Sequence, residues 1–231
     1  MKRQLISLSR IIAVLFFILL VPSHCKSALL TEVSLNAIDR GQYGYDNGRY
    51  CRCTFNVTLL SYPVGLVDNV HHRNFFVFDL SSVPNIVTAA QLHLEAGDPA
   101  FRSNAPILTY TLFDVTSSIN DLMNGTGGDV VFSDLGTGTV YGSVEVSAAA
   151  NGGMVVVNLN DDALADLNAT RALFAIGGWV TTLGHPQGTD EWLFGLTTAK
   201  ETTQLVLTVI PEPATVLLLA LGSIALIRRR Q

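Results

Sequence analysis

Along most of the chain, short runs rich in Val, Thr, Phe and Leu alternate with clusters of Gly, Asn and Asp. Runs of that length, punctuated by turn formers, predict strands rather than helices. The strands expected are residues 30–38, 53–60, 74–79, 87–95, 107–114, 139–146, 154–159, 172–180, 191–195 and 204–210. Alternation is clearest in Ala90-Gln91-Leu92-His93-Leu94-Glu95, which puts Leu92 and Leu94 on the core face and His93 on the solvent face. Two helical patterns interrupt the strands. Asn160 is placed to cap residues 161–167, with acids in the first turn and Leu164 and Leu167 turned to the core. A single turn over 119–123 ends at Asn124-Gly125. Such a pattern predicts an all-β domain over residues 29–209, an antiparallel two-sheet sandwich of the jelly-roll kind, with a barrel as the alternative. No internal repeat suggests a propeller or solenoid.

The two ends depart from this pattern. Residues 1–28 have a basic start (Lys2, Arg3, Arg10), an apolar run over 11–21, then Pro22 and small or polar residues, the layout of a secretory signal peptide. Signal-peptidase cleavage is expected near Ser27 or Ala28; a lipoprotein would need a small residue before Cys25, where His24 stands. Residues 210–231 hold Pro211-Glu212-Pro213, an uncharged run over 214–227, and Arg228, Arg229 and Arg230. As a helix the run covers roughly 21 Å, short of the ~30 Å hydrocarbon core, so a membrane span relies on arginine snorkelling or local thinning. The arginines belong on the cytoplasmic side. Two prolines around a glutamate make an exposed, extended segment just outside the membrane.

Pro211-Glu212-Pro213, the apolar run and the terminal arginines together resemble the PEP-CTERM sorting signal of Gram-negative bacteria. That resemblance implies removal by exosortase, transient anchoring in the inner membrane, delivery to the cell envelope, outer surface or extracellular matrix, and an association with exopolysaccharide and biofilm. The signal on a GPI-anchored protein also has an apolar tail but does not normally finish in arginines.

Removing both ends changes the charge. The formal net charge of −5 becomes −11, since residues 29–210 hold seven basic and eighteen acidic residues. Such a body argues against nucleic acid or anionic membrane as partner and suits solubility or calcium. Of the three cysteines, Cys25 leaves with the signal, and Cys51 and Cys53 remain as Cys-x-Cys. Export permits a disulfide, although strand neighbours two apart lack ideal bridging geometry. A strained local disulfide, intermolecular pairing and free thiols all stay open.

Arg73-Asn74-Phe75-Phe76-Val77-Phe78-Asp79-Leu80, Pro84, and Ile86 to Leu94 resemble the opening of the DNRLRE-type jelly-roll domains, read as one strand pair. The resemblance implies a jelly roll and core packing; related modules occur in extracellular bacterial proteins, some binding polysaccharide.

Candidate chemistry is thin. Asp190-Glu191 offers paired carboxylates, but adjacent strand residues face opposite ways, whereas glycosidase chemistry needs two carboxyls across one sugar. His71-His72 lacks an HExxH spacing and reads as loop histidines. Residues 125–128 and 136–138 read as Gly-rich turns without the ending of a phosphate loop. Calcium candidates are Asp39, Asp46 and Asn47 in a polar Gly/Tyr loop, and Asp129 and Asp134 flanking a short strand. Tyr43, Tyr45 and Tyr50 with Trp179 and Trp192 offer a sugar-stacking platform, or simple core packing. The sequons at Asn56, Asn124 and Asn168 carry no function in a bacterium. The expectation is a non-enzymatic structural or adhesive β-sandwich. Its rivals are a polysaccharide-binding module, with or without calcium, and a polysaccharide-acting enzyme.

Overall fold

Two antiparallel sheets face each other across one apolar core in the computed structural model, which describes residues 30–46, 49–52, 62–83, 86–170, 172–184, 189–194 and 203–210. The strands are β1 (Thr31–Asn36), β2 (Asp39–Asp46), β3 (Arg49–Arg52), β4 (Val64–Val67), β5 (Val70–Asp79), β6 (Ile86–Glu95) and β7 (Phe101–Arg102). They continue as β8 (Leu108–Asp114), β9 (Val140–Val146), β10 (Met154–Asn158), β11 (Leu173–Val180), β12 (Glu191–Leu193) and β13 (Thr203–Ile210). Among the described residues three α-helices intervene, α1 (Ile119–Asn124), α2 (Gly128–Asp134) and α3 (Asp161–Ala169), with one 3-10 turn at Ala148–Ala150. The four-stranded sheet runs β1-β13-β6-β10; the larger runs β7-β12-β4-β5-β11-β8-β9, with the β2–β3 hairpin added to β5.

The alternation read from the sequence sets the inner faces. Leu92 and Leu94 of β6, with Leu205 and Leu207 of β13, meet Phe76 and Phe78 of β5 and Leu108, Tyr110 and Leu112 of β8 in one buried cluster. Burying each such side chain contributes about 1.5–3 kcal/mol. β5 is buried on both faces, because Phe75 and Val77 point the other way into a second cluster with Tyr43, Leu122, Val131, Phe132 and Leu135. The helices α1 and α2 supply that cover, which explains the unbroken apolar run Phe75-Phe76-Val77-Phe78.

Close approach requires glycine at two neighbouring positions of β11. A Cβ on Gly177 would meet the Leu135 backbone where α2 ends against the sheet, and one on Gly178 would overlap Tyr110 Oη and Asn74 Oδ1.

Several expectations need correction. Residues 41–46 are strand rather than loop, forming most of β2 and pairing with β5 from Asp39↔Val77 to Tyr45↔His71. The strand expected over 74–79 begins at Val70, so His71 and His72 are strand residues, not loop histidines. The segment between Asp129 and Asp134 is the helix α2, not a strand; its Val131 and Phe132 are buried. Apolar runs this short fit either period, and packing onto the outer face of β5 decided it. β5 and β6 are no strand pair: β5 belongs to the larger sheet and β6 to the smaller. The strand expected at 53–60, Asn47, Cys53, the signal and residues 211–231 with their membrane helix lie outside the described residues. No helix among the described residues is long and apolar enough to cross a membrane.

Candidate functional site

The middle of the four-stranded sheet's outer face is mostly polar because period-two alternation turns Leu92, Leu94, Leu205 and Leu207 inward, with Val206 and Val156 left among the polar side chains. Its side chains bond to one another across the strands. Gln91 Nε2 donates to Asn158 Oδ1 at 2.8 Å, and His93 Nε2 lies 3.0 Å from Gln91 Oε1. Gln204 Nε2 donates to Asn36 Oδ1 at 3.0 Å, and Thr88 Oγ1 to the Thr208 carbonyl at 3.2 Å.

Over part of this face lies a groove of about 490 Å³, floored by Thr88, Gln91, Val206 and Thr208 and walled by Asp161 and Leu164 of α3. α3 holds its place as the sequence predicts: Asn160 Oδ1 accepts from Ala163 N at 3.1 Å and Leu167 is buried. Asn168, whose sequon carries no function, clamps the start of β6. Its side chain accepts from Val87 N at 2.9 Å and donates to the Val87 carbonyl at 3.0 Å. The groove contains hydroxyls, carboxamides and the carboxylates Glu32 and Asp161, with no Lys or Arg in its lining. It can hydrogen-bond an uncharged, hydroxyl-rich chain and repels polyanions.

A second cleft of about 300 Å³ lies between α1, α3 and β11 and contains Asp114, Tyr141 and Asp166. Tyr141 Oη donates to Asp166 Oδ2 at 2.5 Å, and Asp114 Oδ1 accepts from Thr139 N at 2.7 Å. Burial, then the bond to Asp166, pushes the Tyr141 hydroxyl above its usual range. Both carboxylates therefore brace the fold.

The sequence-predicted residues are dispersed. Asp190 accepts from Asp68 N at 2.9 Å and pairs with Arg102 at 3.3 Å, whereas Glu191 is buried and accepts from Ser103 Oγ at 2.8 Å. The two carboxyls thus serve different neighbours, as the alternation requires. Asp39 opens β2 and Asp46 closes it, while Asp129 and Asp134 stand near opposite ends of α2. Asp134 accepts from Thr116 N and Oγ1 and from Ser117 N, at 2.7–2.9 Å. Among the described residues no group of three or more His, Cys, Asp or Glu is placed to hold a metal ion. Cys51 lies on β3.

The tyrosines and tryptophans do not share a platform. Tyr43 is buried, its hydroxyl 2.9 Å from the Leu122 carbonyl. Tyr45 is exposed beside Phe132, and Trp192 sits apart on β12. Trp179 joins His71 and Arg73, whose guanidinium lies 4.5 Å from the Phe132 ring centre and 5.0 Å from that of Trp179. Arg73 Nη1 also donates to the Phe132 and Ser133 carbonyls, both at 2.8 Å, satisfying acceptors near the C-terminus of α2.

His72, opposite Gly44 and Gly65 on its neighbouring strands, is buried, and desolvation followed by the nearby His71 holds its pKa down to about 4 despite the opposing pull of Asp68. Sequence reasoning missed His72 and Arg73 as packed residues. The available signal was their unbroken continuity with the apolar run that follows.

Comparison with known families matches residues 209–231 to the PEP-CTERM protein-sorting motif. The motif implies processing by exosortase and marks an exported, cell-surface-sorted protein. No curated protein matches the chain.

Proposed function

We propose that this chain is a non-enzymatic, adhesive protein of the cell envelope or biofilm matrix, exported with a cleaved signal peptide, sorted by exosortase, and binding a neutral polysaccharide through its polar groove. The groove carries the reading: its lining of carboxamides and hydroxyls without a cation is complementary to an uncharged polyol. The body is a jelly roll in this reading. Support comes from the strand order, in which first and last strands lie side by side in β1-β13-β6-β10 and the intervening strands form β5-β11-β8-β9 opposite. The hairpin β2–β3 and the strands β4, β7 and β12 then extend the second sheet.

The test is retention of the protein purified from its exporting host on immobilised neutral and acidic polysaccharides, with and without calcium. Retention on the neutral polymer is expected. No retention on any polymer in either condition sinks the binding role, and retention only with calcium moves the contact to the body's carboxylates.

A further inference from the structure

The ends of the domain are neighbours. Thr31 lies opposite Val209 where β1 meets β13, so the antiparallel step before it sets Leu30 beside Ile210. Ile210 in turn pairs with Ile86 at the start of β6. These three aliphatics form the terminal rung of the four-stranded sheet, and Leu30 and Ile86 are each 60 % exposed. The inward positions next to them, Val209 and Val87, are buried at 1 % and 3 %. The rungs further in are mostly polar on the outer face: Glu32 with Thr208, Ser34 with Val206 and Gln91, then Asn36 with Gln204 and His93. Beside this sheet Leu30 and Ile86 are the most exposed large aliphatics, ahead of Met154 of β10 at 51 %, and they meet where the chain enters and leaves it.

Chain length fixes what that end can reach. Pro211 follows Ile210 directly and the apolar run begins at Ala214. Four fully extended residues span at most about 14 Å, and one headgroup layer takes up roughly 5–7.5 Å of that reach, so the rung stands no more than about 9 Å off the membrane surface. β13 remains paired up to Ile210, so the sheet provides no slack of its own. The Asn168 clamp on Val87 likewise holds Ile86 at the rung.

We propose that Leu30, Ile210 and Ile86 form a membrane-facing rung on which the unprocessed protein rests against the lipid bilayer until its tail is removed. The proposal rests on insertion of residues 214–227 into the membrane. Release of the tail would expose the rung as the domain leaves the surface, so the same contact serves only the precursor. Aliphatic side chains at the bilayer interface leave water for the acyl boundary, whereas the polar rungs behind them stay hydrated.

The full chain, uncleaved and reconstituted in phosphatidylcholine–phosphatidylethanolamine vesicles, is labelled with a lipid-borne photoactivatable carbene and mapped by mass spectrometry. Adducts are expected in residues 214–227 and, several-fold above the level at Ser34 and Gln91, at Leu30 and Ile86. The double substitution Leu30→Ser and Ile86→Ser, at exposed positions, is expected to abolish the rung adducts while leaving those in the tail. Adducts confined to the tail would overturn the rung. Their absence from the tail would overturn the insertion on which it rests. A rung unlabelled in a chain that forms dimers would assign the row to a second copy instead.

Discussion

Tyr110 donates its hydroxyl to Asn74 Oδ1 at 2.7 Å, although their strands β8 and β5 are separated by β11. The bond crosses over Gly178, which pairs with Asn74 on one side and Leu112 on the other and presents no side chain between them. Asn74 Nδ2 then donates to the Tyr62 carbonyl at 3.0 Å, so one carboxamide ties three segments in the core. Gly178→Ala is expected to break this link and destabilise the domain by about 1–3 kcal/mol, the range for overpacking a core. Tyr110→Phe, which leaves the Asn74 oxygen unsatisfied, should cost about 1–3 kcal/mol. Urea unfolding of the two variants and the double variant measures both, and losses that add fully would mean that the two residues act separately.

The guanidinium of Arg73 joins the end of α2 to the sheet by two hydrogen bonds and two ring faces. Lysine cannot reproduce a planar fork stacked between rings. Arg73→Lys should therefore lower stability by about 1.5–3 kcal/mol, the range for bonds to a charged group, and shift the Trp179 fluorescence. Wild-type stability with unchanged emission would contradict the brace.

His72 makes stability depend on acid. Its native pKa is about 4 against 6.5 for the free side chain, so the unfolded chain takes up a proton first as pH falls. Its neutral form is favoured fully above pH 6.5, and that contribution, on the order of 3 kcal/mol, is lost as pH drops through 6.5 towards 4. His72→Gln should flatten the stability profile in that window. An unchanged profile would assign the acid sensitivity elsewhere.

Gln91, half-buried, and Asn158, exposed, share the groove through a 2.8 Å bond. Gln91→Ala and Asn158→Ala are each expected to leave stability within about 0.5 kcal/mol of wild type. Polysaccharide retention should fall by roughly tenfold, the effect of losing about 1.4 kcal/mol of binding. Undiminished retention would place the ligand on another face.

The sorting motif predicts the mature end of the chain. Intact mass and terminal sequencing of the protein from its native host should show a product that ends near Pro211–Pro213 and lacks Arg228, Arg229 and Arg230. A product keeping the arginines would instead describe a simple tail anchor.

Where burial is one-sided, the strands were readable along the chain. β6 and β13 show their inward Leu residues by strict alternation, and α3 announces itself with Asn160, two aspartates and a leucine pair. The legible signal weakens wherever a partner covers the second face. His71 and His72 looked like loop residues because nothing local says that β2 and β4 will pair with them. Val130-Val131-Phe132 looked like a strand because a run this short fits both periods. The groove left no motif, since Glu32, Thr88, Gln91, Asn158, Asp161 and Thr208 come from five elements.

By itself the sequence determined the mostly-β character of the body, its acidic charge and the sorting signal, because these depend on residue type and near-neighbour order. Only tertiary structure decided that β5 is buried twice, that Tyr110 reaches Asn74 over Gly178, and that the two ends of the domain share one rung. Each of these joins residues far apart in sequence, and such contacts follow from which strands pair and which faces meet. Local propensity carries no information on either choice.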